Sequence, residues 1–366
     1  MKIAIVHDYL NQLGGAERVV ATLHQMFPEA PVYTILVDPD KLWSEMKDAN
    51  IITSFIQKMG FVQNHFKLFF WLYPFVIRTL PVRGYDLVIS SSSAYGKAVS
   101  IGPTDDGTKP IHICYCHTPM RFAWNFDEYI ENETSKGLLR RLARLLVPFL
   151  KMWDVQTAKN VDYFIANSSV VSKRIKNYYN RSSKVIFPPV DIPIKPTFEE
   201  PGDYFLVVSR LVSYKRIDLA VRACTEADLP LLVIGDGPDR NRLESVAGPS
   251  IRFLGYQSEE SKLEYMARCR ALIFPGEEDF GITPLEVNGL GRPVVAYRAG
   301  GALDTVKHEL NGLYFDKQTV EDLVQTLYQA SKHKWDSNEI HTWAKNFGRE
   351  VFESNIKEML VVGKRR

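Results

Sequence analysis

The stretch YFLVVSRLVSYKRIDLAVRACTEADLPLLVIGDG, residues 204–237, places a buried apolar run at each end of a helical pattern. Strand, helix and strand in this order form the repeating unit of a parallel sheet, because parallel strands need a crossover connection. Similar short runs rich in β-branched and aromatic residues continue on both sides of the stretch. The sequence therefore predicts an α/β protein built on parallel sheets.

These apolar runs fall into two series. The first extends from KIAIVHD at 2–8 to DYFIANSS at 162–169, and the second from YFLVVSRL at 204–211 to PVVAYRAGG at 293–301. Between them lies KVIFPPVDIPIKP, at 184–196, which carries four prolines and predicts a strand running out into a stiff linker. We therefore expect two doubly wound Rossmann-like domains, with ligands in a central cleft at the carboxyl ends of the strands.

The end of the chain predicts one amphipathic helix, because apolar residues recur at helical spacing over roughly 339–362. We expect this helix to pack back on the first domain. The predicted boundaries are 1–190 for the N-terminal domain, 191–345 for the C-terminal domain and 346–366 for the returning helix.

Composition excludes several classes of protein. Forty-five Lys and Arg against 43 Asp and Glu give a net charge of +2, which indicates no nucleic-acid partner. Four cysteines without a C-x-x-C pair fit a reduced, cytoplasmic chain. KIAIVHD does not resemble an export signal, and the apolar run at 68–77 is too short for a membrane span. We expect a cytoplasmic protein that is soluble or bound to a membrane surface.

The stretch EEDFGITPLE, at 277–286, carries two carboxylates, Glu278 and Glu286. Thr283 suits a helix N-cap, and Glu286 falls where a capping box places a carboxylate. The free N–H groups at this helix start, with those of Gly281 and Ile282, are typical of a site for an anion or for hydroxyl groups. The structural alternative is that Glu286 only caps the helix and Glu278 is solvated.

Other strand ends carry cations or glycines. Arg210 and Lys215 follow the strand at 204–211 and suit a diphosphate, although they are equally compatible with solvated charges before a helix. Gly14 and Gly15 lie between a strand and a helix, where backbone can approach a ligand or simply turn. Gly235 opens a tight turn after the next strand.

Metal-ligand patterns are weak in this chain. His112, Cys114, Cys116 and His117 lie on one strand, where alternate side chains point to opposite faces and cannot converge on one ion. His117 ends that strand, and we expect it to face the cleft. Asp38-Pro39-Asp40 imitates a D-x-D metal motif, but its proline favours a turn. We expect no metal site.

In combination, these motifs resemble the family 4 retaining glycosyltransferases, which have the GT-B fold. The resemblance rests on Ser209-Arg210-Leu211 with Lys215, on the Gly235 turn and on the Glu278-x7-Glu286 pair, and it covers nearly the whole chain. The segment HTPMRFAW, at 117–124, is similar to bacterial GDP-mannose-dependent mannosyltransferases of O-antigen (lipopolysaccharide) and exopolysaccharide synthesis.

The resemblance implies a role for each matching residue. The residues implied in catalysis are Arg210, Lys215, Glu278 and His117. The residues implied in donor binding are Gly14, Gly15, Ser209, Gly235, Phe280, Gly281, Ile282, Thr283 and Glu286. Arg210 and Lys215 would hold the diphosphate, Glu286 the ribose and Glu278 the sugar. Asp304 stands where relatives often have Glu, so no role is carried over to it.

The implied activity is a metal-independent, retaining hexosyl transfer without cofactor. The donor would be a nucleotide sugar, foremost GDP-mannose, and the acceptor a lipid-linked or polysaccharide chain. A UDP donor carrying glucose, galactose or an N-acetylhexosamine is the first alternative. A UDP-sugar 2-epimerase and a non-catalytic sugar-nucleotide-binding module are further alternatives, which the joint presence of Arg210, Lys215, Glu278 and Glu286 disfavours.

Two stretches mix aromatic or leucine residues with cations, at 55–83 and at 136–153. Such a mixture is typical of an amphipathic surface that lies on anionic lipid, here the inner face of the cell membrane. Helices that pack on their own sheet would show the same pattern.

Overall fold

The computed structural model describes residues 1–61, 69–126, 138–194 and 199–363, with no side chains described at 138–143, 362 and 363. It divides into two compact units. The first comprises Met1–Pro189 with Phe352–Arg366, and the second Val190–Val351. Each unit carries one parallel sheet, as the alternating pattern predicts.

The first unit has a seven-stranded parallel sheet of order β3-β2-β1-β4-β5-β6-β7. Its strands are β1 (Ile3–His7), β2 (Val32–Thr34), β3 (Ile51–Thr53), β4 (Leu87–Ser92), β5 (Ile111–Cys116), β6 (Tyr163–Ala166) and β7 (Ser183–Val185). The order reverses between β1 and β4, and such a switch point is where doubly wound sheets bind ligands.

Helices cover both faces of this sheet. They are α1 (Gly15–Met26), α2 (Tyr73–Val76), α3 (Arg121–Trp124), α4 (Leu138–Ala158), α5 (Ser169–Tyr179) and the last helix of the chain, α13 (Arg349–Gly363). Alternate residues of β1 belong to different cores, Val6 to one and Ile5 to the other, because strand side chains point to opposite faces. Phe352 and Ile356 of α13 complete the Ile5 core, so the chain end packs on the first unit.

The second unit has a six-stranded parallel sheet of order β10-β9-β8-β11-β12-β13. Its strands are β8 (Phe205–Val208), β9 (Leu231–Ile234), β10 (Ile251–Gly255), β11 (Ala271–Phe274), β12 (Val294–Tyr297) and β13 (Gly312–Phe315). Its helices are α6 (Ile217–Glu226), α7 (Arg240–Glu244), α8 (Glu259–Arg268), α9 (Ile282–Gly289), α10 (Ala302–Thr305), α11 (Val320–Lys332) and α12 (Ser337–Ala344). Here the order reverses between β8 and β11.

The prediction of a single terminal helix over roughly 339–362 is wrong. Helix α12 ends at Ala344, a 3-10 turn spans Lys345–Phe347, and α13 begins after Gly348. Gly348 is extended, and Val190 N donates to Phe347 O at 3.1 Å. The break lets Phe347 pack near Phe280 in the second unit while Phe352 enters the first unit's core.

Candidate active site

Lys215 and Glu278 meet at the switch point of the second unit. Lys215 ends a 3-10 turn that follows β8, and Glu278 follows the neighbouring strand β11. Lys215 Nζ lies 2.6 Å from Glu278 Oε1, and the two side chains are 19% and 20% exposed. Lys215, which was predicted to hold the diphosphate, and Glu278, which was predicted to hold the sugar, therefore form one half-buried ion pair.

The backbone around both residues is held in place. A Cβ on Gly276 would lie 2.8 Å from Lys215 Cα, so the two loops approach closely enough to require glycine. Arg216 Nη1 donates to Gln318 Oε1 at 2.8 Å, and Gln318 Nε2 donates to Pro275 O at 2.9 Å. These contacts fix the point from which the Lys215 side chain starts.

Helix α9 begins beside Glu278, but not where the capping pattern places it. Gly281 is the N-cap, with φ of +87°, and Ile282 is the first helical residue. The predicted Thr283 cap is wrong, because Thr283 already lies inside the helix and no side chain caps it. A Cβ on Gly281 would meet the Phe274 ring at 2.7 Å, so both backbone conformation and space select glycine.

Glu286 is inside α9 and does not form the predicted capping box. Its Oε1 lies 3.6 Å from Lys262 Nζ, and Lys262 also pairs with Glu259 at 2.7 Å. Glu286 is 11% exposed. The carboxylate is thus positioned by the cation of helix α8, which the sequence analysis did not identify.

The remaining second-unit residues have mixed placements. Arg210 is exposed, and within the described residues its guanidinium makes no ion pair. The Ser209 hydroxyl donates to Arg210 O at 3.2 Å. Gly235 has φ of +125° in the turn after β9, and Phe280 is buried. The structure therefore joins Lys215 to Glu278 but gives no contact between Arg210 and that pair.

In the first unit, α1 starts at Gly15, with Gly14 as its extended N-cap. The Glu17 carboxylate turns back toward this helix start: a Cβ on Gly14 would lie 2.6 Å from its Oε2. Gln12 Nε2 donates to Glu17 Oε1 at 3.0 Å. Glu17 is 3% exposed, and its Oε2 has no hydrogen-bond partner among the described residues. A carboxylate of the chain itself thus lies against the helix start at which backbone was expected to approach a ligand.

His117 follows β5 and is nearly buried. Its Nε2 lies 2.7 Å from Ser91 Oγ, while His7 Nδ1 lies 2.8 Å from Ser91 O. Burial, and secondarily the neighbouring His7, lower the pKa of His117 from 6.5 to about 3. His117 is therefore a neutral hydrogen-bonding group at pH 7. For His7 burial acts to lower the pKa, but the Glu17 and Asp8 carboxylates outweigh it and raise the pKa.

Asp8 closes the turn after β4. Its carboxylate accepts N–H bonds from Ser93 at 2.7 Å, Ala94 at 3.0 Å and Tyr95 at 2.8 Å, and a further one from Gly96. Asp8 is 2% exposed. The amides that end β4 are therefore already used by a side chain from the end of β1.

Sequence reasoning did not identify His7, Asp8, Glu17, Ser91 and Lys262. The signals available were the His-Asp end of β1, the Ser90-Ser91-Ser92 run that ends β4 and a glutamate two residues after Gly15. The partners of His7, Asp8, Ser91 and Lys262 come from other strands or helices, which these patterns do not indicate, whereas Glu17 contacts Gln12 and Gly14 in its own segment.

The D-x-D pattern forms a local turn, in which Asp38 accepts from Asp40 N at 3.2 Å and pairs with Lys41 at 2.8 Å. Across the described residues no group of three or more His, Cys, Asp or Glu side chains could hold a metal ion. Within the same residues no helix is long and apolar enough to cross a membrane.

Two family models match the chain in succession. The model described as Glycosyltransferase Family 4 matches residues 13–192, and the model described as Glycosyl transferases group 1 matches residues 191–347. Together they extend over both units.

Curated relatives are similar at low identity. The alpha-1,3/1,6-mannosyltransferase ALG2 of Saccharomyces cerevisiae is 24% identical over 371 residues, 85% of this chain and 72% of that protein. An uncharacterized glycosyltransferase of Methanocaldococcus jannaschii is 28% identical over 207 residues, 54% of this chain and 57% of that protein. A GDP-mannose-dependent alpha-mannosyltransferase of Corynebacterium glutamicum is 28% identical over 147 residues, 37% of this chain and 35% of that protein.

Solved structures share the fold. The lipopolysaccharide outer core galactosyltransferase WaaB superposes with a TM-score of 0.69 at 18% identity, over 99% of this chain and 100% of that one. Anabaena HepE in complex with UDP superposes with a TM-score of 0.70 at 17% identity, over the same shares. The expected GT-B architecture is confirmed.

Proposed function

Since the chain belongs to glycosyltransferase family 4, we propose that it moves a hexosyl group, foremost mannosyl, from GDP-mannose to a lipid-linked or polysaccharide acceptor with retention of configuration. The mannosyltransferases among its relatives support this choice of sugar, and one of them is named for its GDP-mannose dependence. The second unit would bind the donor and the first the acceptor.

One observation carries the proposal: the pairing of Lys215 with Glu278 at the second unit's switch point. Doubly wound sheets bind ligands at that position. An ammonium offers charge to a diphosphate, and a carboxylate accepts hydrogen bonds from sugar hydroxyls. The free N–H groups at the start of α9 follow Glu278 along the chain and add donors for an anion.

The reaction breaks the bond between the sugar and the diphosphate, and negative charge grows on the leaving diphosphate. Lys215, Arg210 and the α9 amides would stabilise that charge more in the transition state than before it. Such fixed cations supply what a divalent metal supplies elsewhere, so we propose a metal-independent transfer. Turnover lost in EDTA and restored by Mg²⁺ would contradict that step. The roles of Gly15 and His117 toward the donor stay predictions.

A thermal-shift screen tests the donor. GDP-mannose, UDP-glucose, UDP-N-acetylglucosamine and ADP-glucose are each added to the purified chain, because a ligand that binds the folded state raises its melting temperature. We expect the largest shift with GDP-mannose. A larger shift with a UDP sugar would replace the proposed donor, and no shift with any of them would end the proposal. Release of GDP only when acceptor is present separates a transferase from a binding module.

Lys215→Ala and Arg210→Ala should each lower the transfer rate about a hundredfold or more, or about 3 kcal/mol of transition-state stabilisation. Glu286→Ala should mainly weaken donor binding, since a ribose contact exists before and during bond breaking. Steady-state kinetics on folded variants separate the two cases. Near-normal turnover in Lys215→Ala would remove Lys215 from the diphosphate role.

The acceptor side includes a surface suited to lipid. Ile56, Tyr73 and Leu150 belong to one core on one face of the first sheet, so the described residues 55–61 and 69–75 pack on the same side as α4. Their outward side chains are apolar and exposed: Phe55, Met59, Phe61, Trp71, Phe75, Leu145, Leu146, Phe149 and Met152. The exposed cations Lys58, Arg78 and Arg144 accompany them. Phe66, Lys67 and Lys136 lie outside the described residues.

We propose that this surface contacts anionic lipid on the inner face of the cell membrane, where a lipid-linked acceptor would be presented. Sedimentation with liposomes containing anionic lipid should remove the protein from solution, and Phe75→Ser with Leu145→Ser should weaken that binding. Equal sedimentation with neutral and anionic vesicles would contradict the charge-dependent part.

A further inference from the structure

The Lys215–Glu278 pair suggests more than two separate contacts to the donor. The two side chains meet at 2.6 Å and are only about one-fifth exposed. The backbone of Glu278 is held in place by a hydrogen bond, in which Gly301 N donates to Glu278 O at 2.8 Å. A phosphate that approaches Lys215 therefore meets a carboxylate already bound to it.

A nucleotide sugar and a nucleoside diphosphate differ in what they offer that carboxylate. Hydroxyl groups of the sugar are donors that replace the ammonium as partners of Glu278. A nucleoside diphosphate has no sugar there and brings more negative charge on its terminal phosphate. It must weaken the ion pair and then remain beside an uncompensated carboxylate, which like-charge repulsion disfavours.

We propose that Glu278 discriminates between substrate and product by competing with phosphate for Lys215. The carboxylate lowers the affinity for the free nucleoside diphosphate while leaving the nucleotide sugar compensated. Product release would thereby be favoured once the sugar has left. This inference rests on the proposed function, because it takes Lys215 and Glu278 as the donor's partners.

Isothermal titration calorimetry with GDP and GDP-mannose tests the inference, with UDP and UDP-glucose as the second pair of probes. Glu278→Gln keeps the side-chain shape and removes the charge. We expect it to bind GDP at least about tenfold more tightly than the original chain at low salt. The affinity for GDP-mannose should rise less or fall, so that the preference for nucleotide sugar over diphosphate decreases.

Glu277→Gln is the matched control, since Glu277 is exposed and adjacent in the chain but lies outside the ion pair. It should change GDP affinity less than about twofold, because an exposed charge is screened by solvent. Thermal unfolding checks that each variant is folded, and Glu278→Ala replaces Glu278→Gln if that variant fails to fold.

Unchanged or weaker GDP binding by Glu278→Gln would overturn the inference while leaving the proposed function intact. An equal gain in Glu277→Gln would also overturn it, because the effect would then be one of general charge. Failure of every nucleotide and nucleotide sugar to bind the original chain would instead overturn the proposed function, and the inference with it.

Discussion

The two units use the same kind of ion pair in different ways. Lys97 and Asp154 pair in the first unit at 2% and 0% exposure, and Trp124 Nε1 and Tyr179 OH also donate to that aspartate. In the second unit Lys215 and Glu278 pair at 19% and 20% exposure. The first pair is enclosed by its protein partners, whereas the second remains accessible to a ligand.

The switch points of the two sheets also differ in how far the chain's own groups occupy them. Between β1 and β4, Asp8 uses the turn amides and Glu17 lies against the start of α1. Between β8 and β11, a cation and a carboxylate remain half-buried and can exchange partners. The same kind of switch point is therefore filled by buried carboxylates in the first unit and holds a partly exposed ion pair in the second.

The largest expected effect is a difference in the free energy of unfolding between substitutions of the two lysines, Lys97 and Lys215. Lys97→Met leaves the buried Asp154 carboxylate without its countercharge and should lower the free energy of unfolding by about 3–5 kcal/mol. Lys215→Met should lower it by less than about 1 kcal/mol, because Glu278 can be solvated. Both changes are measured by urea unfolding, with hydrogen exchange as the probe that reports on each unit separately.

Lys109→Met is the control within the first unit, since Lys109 pairs with Asp162 but is 75% exposed. It should change stability little. Equal losses for Lys97→Met and Lys215→Met would show that burial does not separate the two pairs.

A smaller effect, counted per pH unit, is a loss of stability at acidic pH that should be greater in the first unit than in the second. Burial lowers the pKa of His112 to about 4 and, with His7, that of His117 to about 3, and both lie in the first unit. Below about pH 6.5 these two imidazoles are protonated in the unfolded chain but stay neutral in the folded chain. Stability should fall as the pH drops from about 6.5 toward 4, by about 1.4 kcal/mol per pH unit for each histidine.

His7 does not offset that loss. Its pKa is raised, so its contribution is fully present below its unfolded pKa and disappears only as the pH rises through the folded value. Hydrogen exchange at pH 6.5 and 5 should show the first unit losing more protection than the second. His112→Asn should reduce the slope, and a slope unchanged in that variant would remove His112 from the account.

Much of the fold follows from local pattern. The apolar runs at 2–8, 85–92 and 204–211 correspond to β1, β4 and β8, because a buried parallel strand must be apolar on both faces. The short strands Ile51–Thr53 and Gly312–Phe315 were missed, since their apolar runs are only two and three residues long, against five at Tyr204–Val208. The break at Gly348 was missed because helical spacing continues across it.

Strand and helix periods are local properties, so the amino-acid pattern is enough to predict two parallel-sheet units and the residues that end their strands. That Lys215 bonds Glu278 and that Lys262 approaches Glu286 follow instead from how distant parts of the chain pack together. These contacts join residues that follow neighbouring strands or lie on separate helices. Their geometry depends on strand order, helix packing and side-chain direction, which no run of sequence contains.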